Sequence, residues 1–175
     1  MREAAFTPSV CWNMSEFSTR SEFSIRPACA ADLPAIIGLW RDLQDINAAF
    51  DPRLALNAEA ADWFVRYLKE QLENAGAAVL VAEQGAQVAG YTFGQVMRRP
   101  TLLSGDCGYI ADLCVRSEAR GQGIGRSLHG WLRAWFVAQG ITAIEVQVVR
   151  ANPASQAFWR KMGYNDFLRT LRSES

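Results

Sequence analysis

A single histidine, His129, serves the whole 175-residue chain. Its four cysteines (Cys11, Cys29, Cys107, Cys114) form neither a CxxC pair nor a metal-like cluster. No metal is therefore expected, and scattered reduced thiols fit a cytoplasmic protein. Net charge is also missing: eighteen basic residues balance eighteen acidic ones. No global field draws the chain to nucleic acid or to an anionic membrane, so any anion must be held locally. The basic residues are dispersed, which makes nucleic-acid binding the weakest functional class. No apolar run approaches the about 20 residues of a membrane span. No repeat, low-complexity segment or domain linker appears.

What is present suits one ordinary globular domain. Half the residues are apolar and 21% are charged, enough for a sizeable core without staples. Residues 1–21 have no sustained apolar segment and read as a tail rather than a secretory signal. Met14 is expected either to be the true start or to sit in a loosely ordered stretch. Residues 22–175 are expected to form the domain.

Periodicity orders the elements. "EFSIRPA" (22–28) alternates and reads as a strand. Asp32 is a candidate N-cap for a helix with Leu33, Ile36, Ile37, Trp40 and Leu43 at helical spacing. "DPRLALN" is a loop. A second helix carries Trp63, Phe64, Tyr67, Leu68 and Leu72 on one face and stops at Gly76. Two strands flank a turn at Gln84-Gly85, and residues 105–115 form another. A helix follows to Gln139, with Ile124, Leu128, Trp131, Leu132, Trp135 and Phe136 as its buried stripe and Gly140 as its stop. Residues 141–149 read as a strand, 152–163 as a short helix and 164–172 as a last strand. The order β-α-α-β-β-β-α-β-α-β predicts an α/β fold with a mixed sheet of 6–7 strands and helices on both faces. Its central β-α-β unit should be a parallel, right-handed crossover.

The segment "RSEARGQGIGRSLHG" places three glycines, Gly121, Gly123 and Gly125, in five residues between a strand and a helix. The first amides of a helix lack intrahelical partners, and the dipole there is positive. Glycine lets a ligand approach the backbone. Together these predict an anion site, most naturally for phosphate, with Arg120 and Arg126 adding charge. A dinucleotide G-x-G-x-x-G fails in both registers, because the sixth position is Arg126 or Leu128. A P-loop fails because no lysine follows. R-x-x-G-x-G, Arg120 to Gly125, fits.

"DLCVRSEARGQGIGRSLHGWL" resembles the pyrophosphate-binding segment of the GNAT superfamily of acyl-CoA-dependent N-acetyltransferases. "NPASQAFWRKMGY" is similar to that family's second signature, and "IRPACAADLPAI" to its first strand and helix. The resemblance spans roughly residues 22–172. It implies that Arg120, Gly121, Gln122, Gly123, Ile124, Gly125, Arg126 and Ser127 wrap the diphosphate of acetyl-CoA. It assigns backbone groups of Leu113, Cys114 and Val115 to the pantetheine arm and Asn152 to its side. Phe158, Trp159 and Lys161 match positions close to the cofactor. The resemblance also implies that the strand before the loop splays from its parallel neighbour to make room for the thioester. Relatives often pair, so a homodimer is an expectation of the resemblance alone.

Each of these residues has a plainer structural reading. The loop could be only a tight turn. Asn152-Pro153 is also a good N-cap followed by proline at the first helical position. Lys161 could be solvated. His129 is expected on the surface, off the apolar stripe and away from the gap. Cys107 and Cys114 are expected to be packing residues.

Amine acetylation needs a proton acceptor, because a free alkylamine has a pKa near about 10.4. It also needs a donor for the developing oxyanion, for which an amide near Cys114 or Val115 is expected. The family often supplies a tyrosine acid at the position of Trp159, and an indole cannot replace it as an acid. Tyr109 is the candidate acid. Asp112 is the first choice of base, although several relatives carry their acidic residue at the position of Ala111. Asp112 could equally be a structural carboxylate. Glu145 is the second choice. The acceptor pocket is expected between Leu43 and Trp63, with a rim near Arg98 to Ser104. The expected function is acetyl transfer from acetyl-CoA to a primary amine of a small molecule or peptide, by direct attack in a ternary complex. The alternative is a non-catalytic acyl-CoA-binding sensor or interaction module.

Overall fold

A computed structural model describes residues 22–173. The expected N-terminal tail and the question of Met14 lie outside the described residues. The elements run β1 (Ser24–Pro27), α1 (Leu33–Phe50), α2 (Ala60–Glu73), β2 (Ala77–Gln84), β3 (Gln87–Met97), β4 (Cys107–Val115), α3 (Ile124–Ala138), β5 (Ile144–Val146) and α4 (Pro153–Lys161). The sheet has five strands in chain order, β1-β2-β3-β4-β5. The first three pairings are antiparallel, and β4–β5 is parallel across α3. The α/β class, the mixed sheet and the parallel crossover match expectation. The strand count is lower than the expected 6–7.

The missing strand has a local cause. At the end of α4, Tyr164 N–H donates to Trp159 O at 3.0 Å, and its hydroxyl meets His129 Nε2 at 3.0 Å. Arg160 pairs with Asp166 at 3.1 Å. These contacts fold the chain back along α4, and residues 164–173 form no strand.

Two cores sit on opposite faces because side chains alternate along each strand. Leu80 and Ala82 of β2 face α3, with Leu128, Leu132 and Phe136. Val79 and Val81 face α1 and α2, with Ile36, Trp40, Phe64 and Leu68. Helix α3 lies close to the sheet over glycines. A Cβ at Gly108 would come within 2.7 Å of the Phe136 ring. Gly108→Ala is therefore expected to cost about 1–3 kcal/mol through overpacking. A thermal midpoint equal to wild type would show that α3 is not seated there.

Several boundaries move. Asp32 occupies the N-cap position of α1 as expected, but its side chain makes no capping hydrogen bond there. Its carboxylate instead accepts from Cys29 N–H at 2.8 Å and pairs with Arg26 at 2.7 and 2.9 Å. Helix α2 ends at Asn74 rather than Gly76, and the Asn74 side chain accepts from Gly76 N–H. The hairpin turn is Gly85-Ala86, since Gln84 pairs with Gln87. Gly140 stops α3 as expected, with φ at 77°.

Candidate active site

Strand β4 organises the site. It pairs with β5 only from Gly108 to Ile110, opposite Ile144 to Val146. Beyond Ile110 the two strands part, leaving one edge of residues 111–115 without a strand partner. On the other side, Phe93 pairs with Asp112 and Gly94 with Ile110, so Ala111 is a bulge. A bulge twists a strand and re-aims its side chains. It was not foreseen from the sequence, because nothing in "YIADLCV" marks the extra residue.

Peptide direction follows from the register. Arg116 N–H donates to Ala89 O at 2.9 Å. Stepping by two along an antiparallel pair, the peptide groups of Cys114 and Asp112 face β3. Those of Leu113 and Val115 face the opened side, where Val115 O accepts from Arg120 Nε at 3.0 Å. Cys114, expected to offer backbone to a ligand, is thus turned toward β3. Its buried thiol is pushed up to about 11, chiefly by burial. It is a packing residue.

Strand β4 runs through a 3-10 turn at Ser117–Ala119 into the glycine segment. Gly121 and Gly123 have φ of 79° and 88°, the left-handed region where glycine carries no Cβ penalty. Gly123 is the N-cap of α3. Among the described residues, no hydrogen bond is made by the amides of residues 121–126. The expected set, residues 120–127, shrinks at both ends. Arg120 N–H closes the turn onto Ser117 O at 3.3 Å, and Ser127 N–H makes the first intrahelical bond, to Gly123 O, at 3.0 Å. Gln122 is held by Gln84, whose Nε2 donates to it at 3.0 Å. Ile124 is buried, and Gly125 lies under the Phe158 ring, 3.4 Å from where a Cβ would be. Arg126 is exposed and makes no ion pair among the described residues.

Helix α4 borders the same region. Asn152 caps it, accepting from Ser155 N–H through Oδ1 at 3.0 Å, while its Nδ2 has no partner among the described residues. Asn152 is therefore a cap with a donor to spare. Trp159 is buried, edge-on to Phe158, His129 and Tyr164. Lys161 is exposed without an ion pair among the described residues. His129 corrects its expectation: it is buried, because the docked α4 and Tyr164 cover a helix face that the apolar stripe of α3 alone leaves open. Burial lowers its pKa and raises that of Tyr164 to about 12. The pair is neutral near pH 7.

On the α1/α2 face, Asp112 is 9% exposed and has no cationic partner among the described residues. Burial pushes its carboxyl up to about 6, partly offset by the neighbouring Tyr91 hydroxyl. That hydroxyl is itself buried and lies outside hydrogen-bond geometry with any group. Tyr109, half-buried, has its pKa raised by burial and by Asp112, and it stays protonated. Glu145 is committed elsewhere: both its oxygens accept from Arg99, at 2.6 and 2.8 Å. It holds β5 to the end of β3. Glu145→Gln is expected to cost at most about 1 kcal/mol, as a partly exposed pair does, and to leave turnover within about threefold. A hundredfold loss of rate with an unchanged thermal midpoint would restore Glu145 as a base.

A hollow of about 550 Å³, lined by Ala75, Val96, Arg98, Asp106 and Thr142 among others, lies at the other end of β3 and β4. It takes in Arg98 and Ser104, the ends of the expected acceptor rim, but none of the glycine-segment residues, Asp112 or α4. Among the described residues, no cluster could hold a metal ion, and no helix is long and apolar enough to cross a membrane.

A family model described as "Acetyltransferase (GNAT) family" matches residues 40–164. The chain matches no curated protein. Similar solved structures include a mutant of the BH1408 protein from Bacillus halodurans, 22% identical, with a TM-score of 0.76 over 87% of this chain and 99% of that one. A GCN5-related N-acetyltransferase from Ralstonia eutropha JMP134 is 22% identical, with a TM-score of 0.73 over 87% and 98%. A predicted acetyltransferase with acetyl-CoA from Clostridium acetobutylicum is 19% identical, with a TM-score of 0.71 over 87% and 96%.

Proposed function

From the premise that this chain belongs to the GNAT family of acetyltransferases, we propose that it transfers an acetyl group from acetyl-CoA to a primary amine, by direct attack in a ternary complex. The observation that carries the proposal is the row of unpaired amides at residues 121–126 beside Arg120 and Arg126. An anion is what such a row, at a helix start, takes up. The chemistry of this donor set fits a diphosphate. Gly121 and Gly123 leave it uncovered, because nothing lies within 4 Å of where their Cβ atoms would be.

Acetyl-CoA, when bound, supplies an activated acetyl thioester; the rest falls to this chain. The glycine segment holds the diphosphate. The outward peptide groups of Leu113 and Val115 and the spare Asn152 Nδ2 are available to the pantetheine arm. Phe158, Trp159 and Lys161 are cofactor-side candidates. Of the two outward amides, that of Leu113 is adjacent to Asp112 and is the oxyanion donor of choice, while Val115, nearer the glycine segment, is left to the arm. Asp112 accepts the amine proton. A carboxylate near pKa 6 is a stronger base than an ordinary one, though still about four units below a free alkylammonium. An ammonium bound at Asp112 has no lone pair to attack with, so it first gives Asp112 one proton, uphill by about four units, and the proton left on nitrogen after attack passes to solvent or to the thiolate. Tyr109 remains the candidate acid, although a departing thiolate with a pKa of about 8.5 leaves without one.

One observation favours the alternative, a non-catalytic acyl-CoA-binding module: Trp159 stands where an acid is expected and is packed among aromatic rings. Thiol release from acetyl-CoA over a panel of primary amines separates the two. Release above the hydrolytic background with any amine supports the transferase. Acetyl-CoA binding without release on every amine supports the module.

A further inference from the structure

The groups around Asp112 also select the acceptor, an inference that rests on the acetyl-transfer reading. Phe93 is the cross-strand partner of Asp112, and Gln95 that of Tyr109. Directly opposed residues share a sheet face, and Phe93 belongs to the α1/α2 core. Asp112 therefore projects on that face. Tyr67 of α2 lies across the same residues: its hydroxyl donates to Gln95 Oε1 at 3.0 Å, and its ring meets Phe93 edge-on at 5.8 Å. Trp63 stacks on Tyr67 at 4.9 Å and 11°. Although half of a stacked pair, Trp63 is 54% exposed.

A flat aromatic ledge thus leads from solvent toward a buried carboxylate that has no cation. Exposed apolar surface of this kind marks a binding surface when it adjoins a polar anchor. An ammonium is what the carboxylate lacks, and aromatic faces attract it further. Three other carboxylates near the expected pocket and rim are already used. Asp51 is held by Arg53, Asp106 by Arg98 and Glu145 by Arg99. Asp42, Asp45, Glu59 and Asp62 are exposed and have no ion pair among the described residues, so their attraction is screened and directs approach rather than forming a subsite. Phe50, at the end of α1, and Leu54 and Leu56, on the link to α2, are exposed and apolar. Such a surface suits one charge joined to an apolar body, since Asp112 is the one of these unpaired carboxylates that is buried.

We infer that the acceptor is a monocationic primary amine with an aromatic body, its ammonium against Asp112 and its ring on the Trp63–Tyr67 ledge. The test compares 2-phenylethylamine, ethylamine, putrescine and an aminoglycoside as acceptors, in wild type, Trp63→Ala and Trp63→Phe. In wild type, kcat/KM for 2-phenylethylamine is expected to exceed that for each of the others at least tenfold. Trp63→Ala should lower it roughly tenfold, mainly through KM, as loss of one stacked ring does. Ethylamine should change less than about twofold, and Trp63→Phe should recover most of the loss. Preference for putrescine or the aminoglycoside, or an equal effect of Trp63→Ala on all amines, would overturn the inference while leaving acetyl transfer intact. A binding arm covers an enzyme that turns over none of them, the outcome that fails the transfer reading. The Trp63 indole N–H resonance, assigned by its loss in Trp63→Ala, should shift with 2-phenylethylamine and not with putrescine. No shift with 2-phenylethylamine overturns the inference.

Discussion

Gly123→Asp is expected to lose at least about 100-fold in acetyl-CoA affinity while the domain remains folded. Gly123 is the N-cap of α3 with φ at 88°. Nothing lies within 4 Å of where its Cβ would be, so the new side chain meets no steric obstacle. Aspartate is among the few residues that enter the left-handed region, at roughly 1–2 kcal/mol. The carboxylate would then stand among the amides of residues 121–126 and compete with the diphosphate for them. Hydrogen bonds to a charged group are worth about 1.5–3 kcal/mol each. Displacing two of them accounts for the hundredfold change. Calorimetric titration gives the affinity, and a thermal scan checks the fold. Gly123→Ala carries the strain without the charge and should fall between the two. Affinity of Gly123→Asp within threefold of wild type would show that the diphosphate is held elsewhere.

Asp112→Asn should move activity and stability in opposite directions. As the acceptor of the amine proton, Asp112 is worth about 100-fold or more in kcat. Acetyl-CoA affinity should be unchanged. Stability behaves differently because burial raises the Asp112 pKa from 3.8 to about 6. The folded chain binds this proton more tightly than the unfolded chain. Ionising Asp112 therefore destabilises the fold as pH rises from about 4 to about 6. At pH 7 the full penalty, up to about 3 kcal/mol, is present in wild type. Asparagine has no such charge to bury. The variant should be more stable than wild type at pH 7, with the difference vanishing toward pH 4. In the wild-type rate profile, kcat/KM should fall below about pH 6 as Asp112 is protonated, and this limb should be absent in the variant. A variant with wild-type turnover would remove Asp112 from the chemistry. A variant that is less stable at pH 7 would make it a structural carboxylate.

Local chemistry made much of this site readable in advance. The glycine spacing between Gly121 and Gly125 and the Asn152-Pro153 cap are statements about a few adjacent residues, and both survive in three dimensions. So do the apolar stripes of α1 and α3, because periodicity reports burial against a single neighbour. What was not legible depends on two or more distant segments. His129 looked superficial because the α3 pattern cannot reveal that α4 and Tyr164 cover it. The bulge at Ala111 exists only as a mismatch with β3. Glu145 is indistinguishable in sequence from a free carboxylate until Arg99 arrives from another strand end. The last strand fails on pattern as well as contacts: Tyr164, Phe167, Leu168 and Leu171 do not alternate, and α4 recruits Tyr164 and Asp166.

A crystal structure of the protein with acetyl-CoA tests the central claim most directly. The account predicts diphosphate oxygens within hydrogen-bond distance of several of the amides of residues 121–126, with the pantetheine arm running along Leu113 and Val115. A diphosphate seated in the hollow beside Arg98, or a glycine segment whose amides turn inward and leave the ligand unheld, would contradict it.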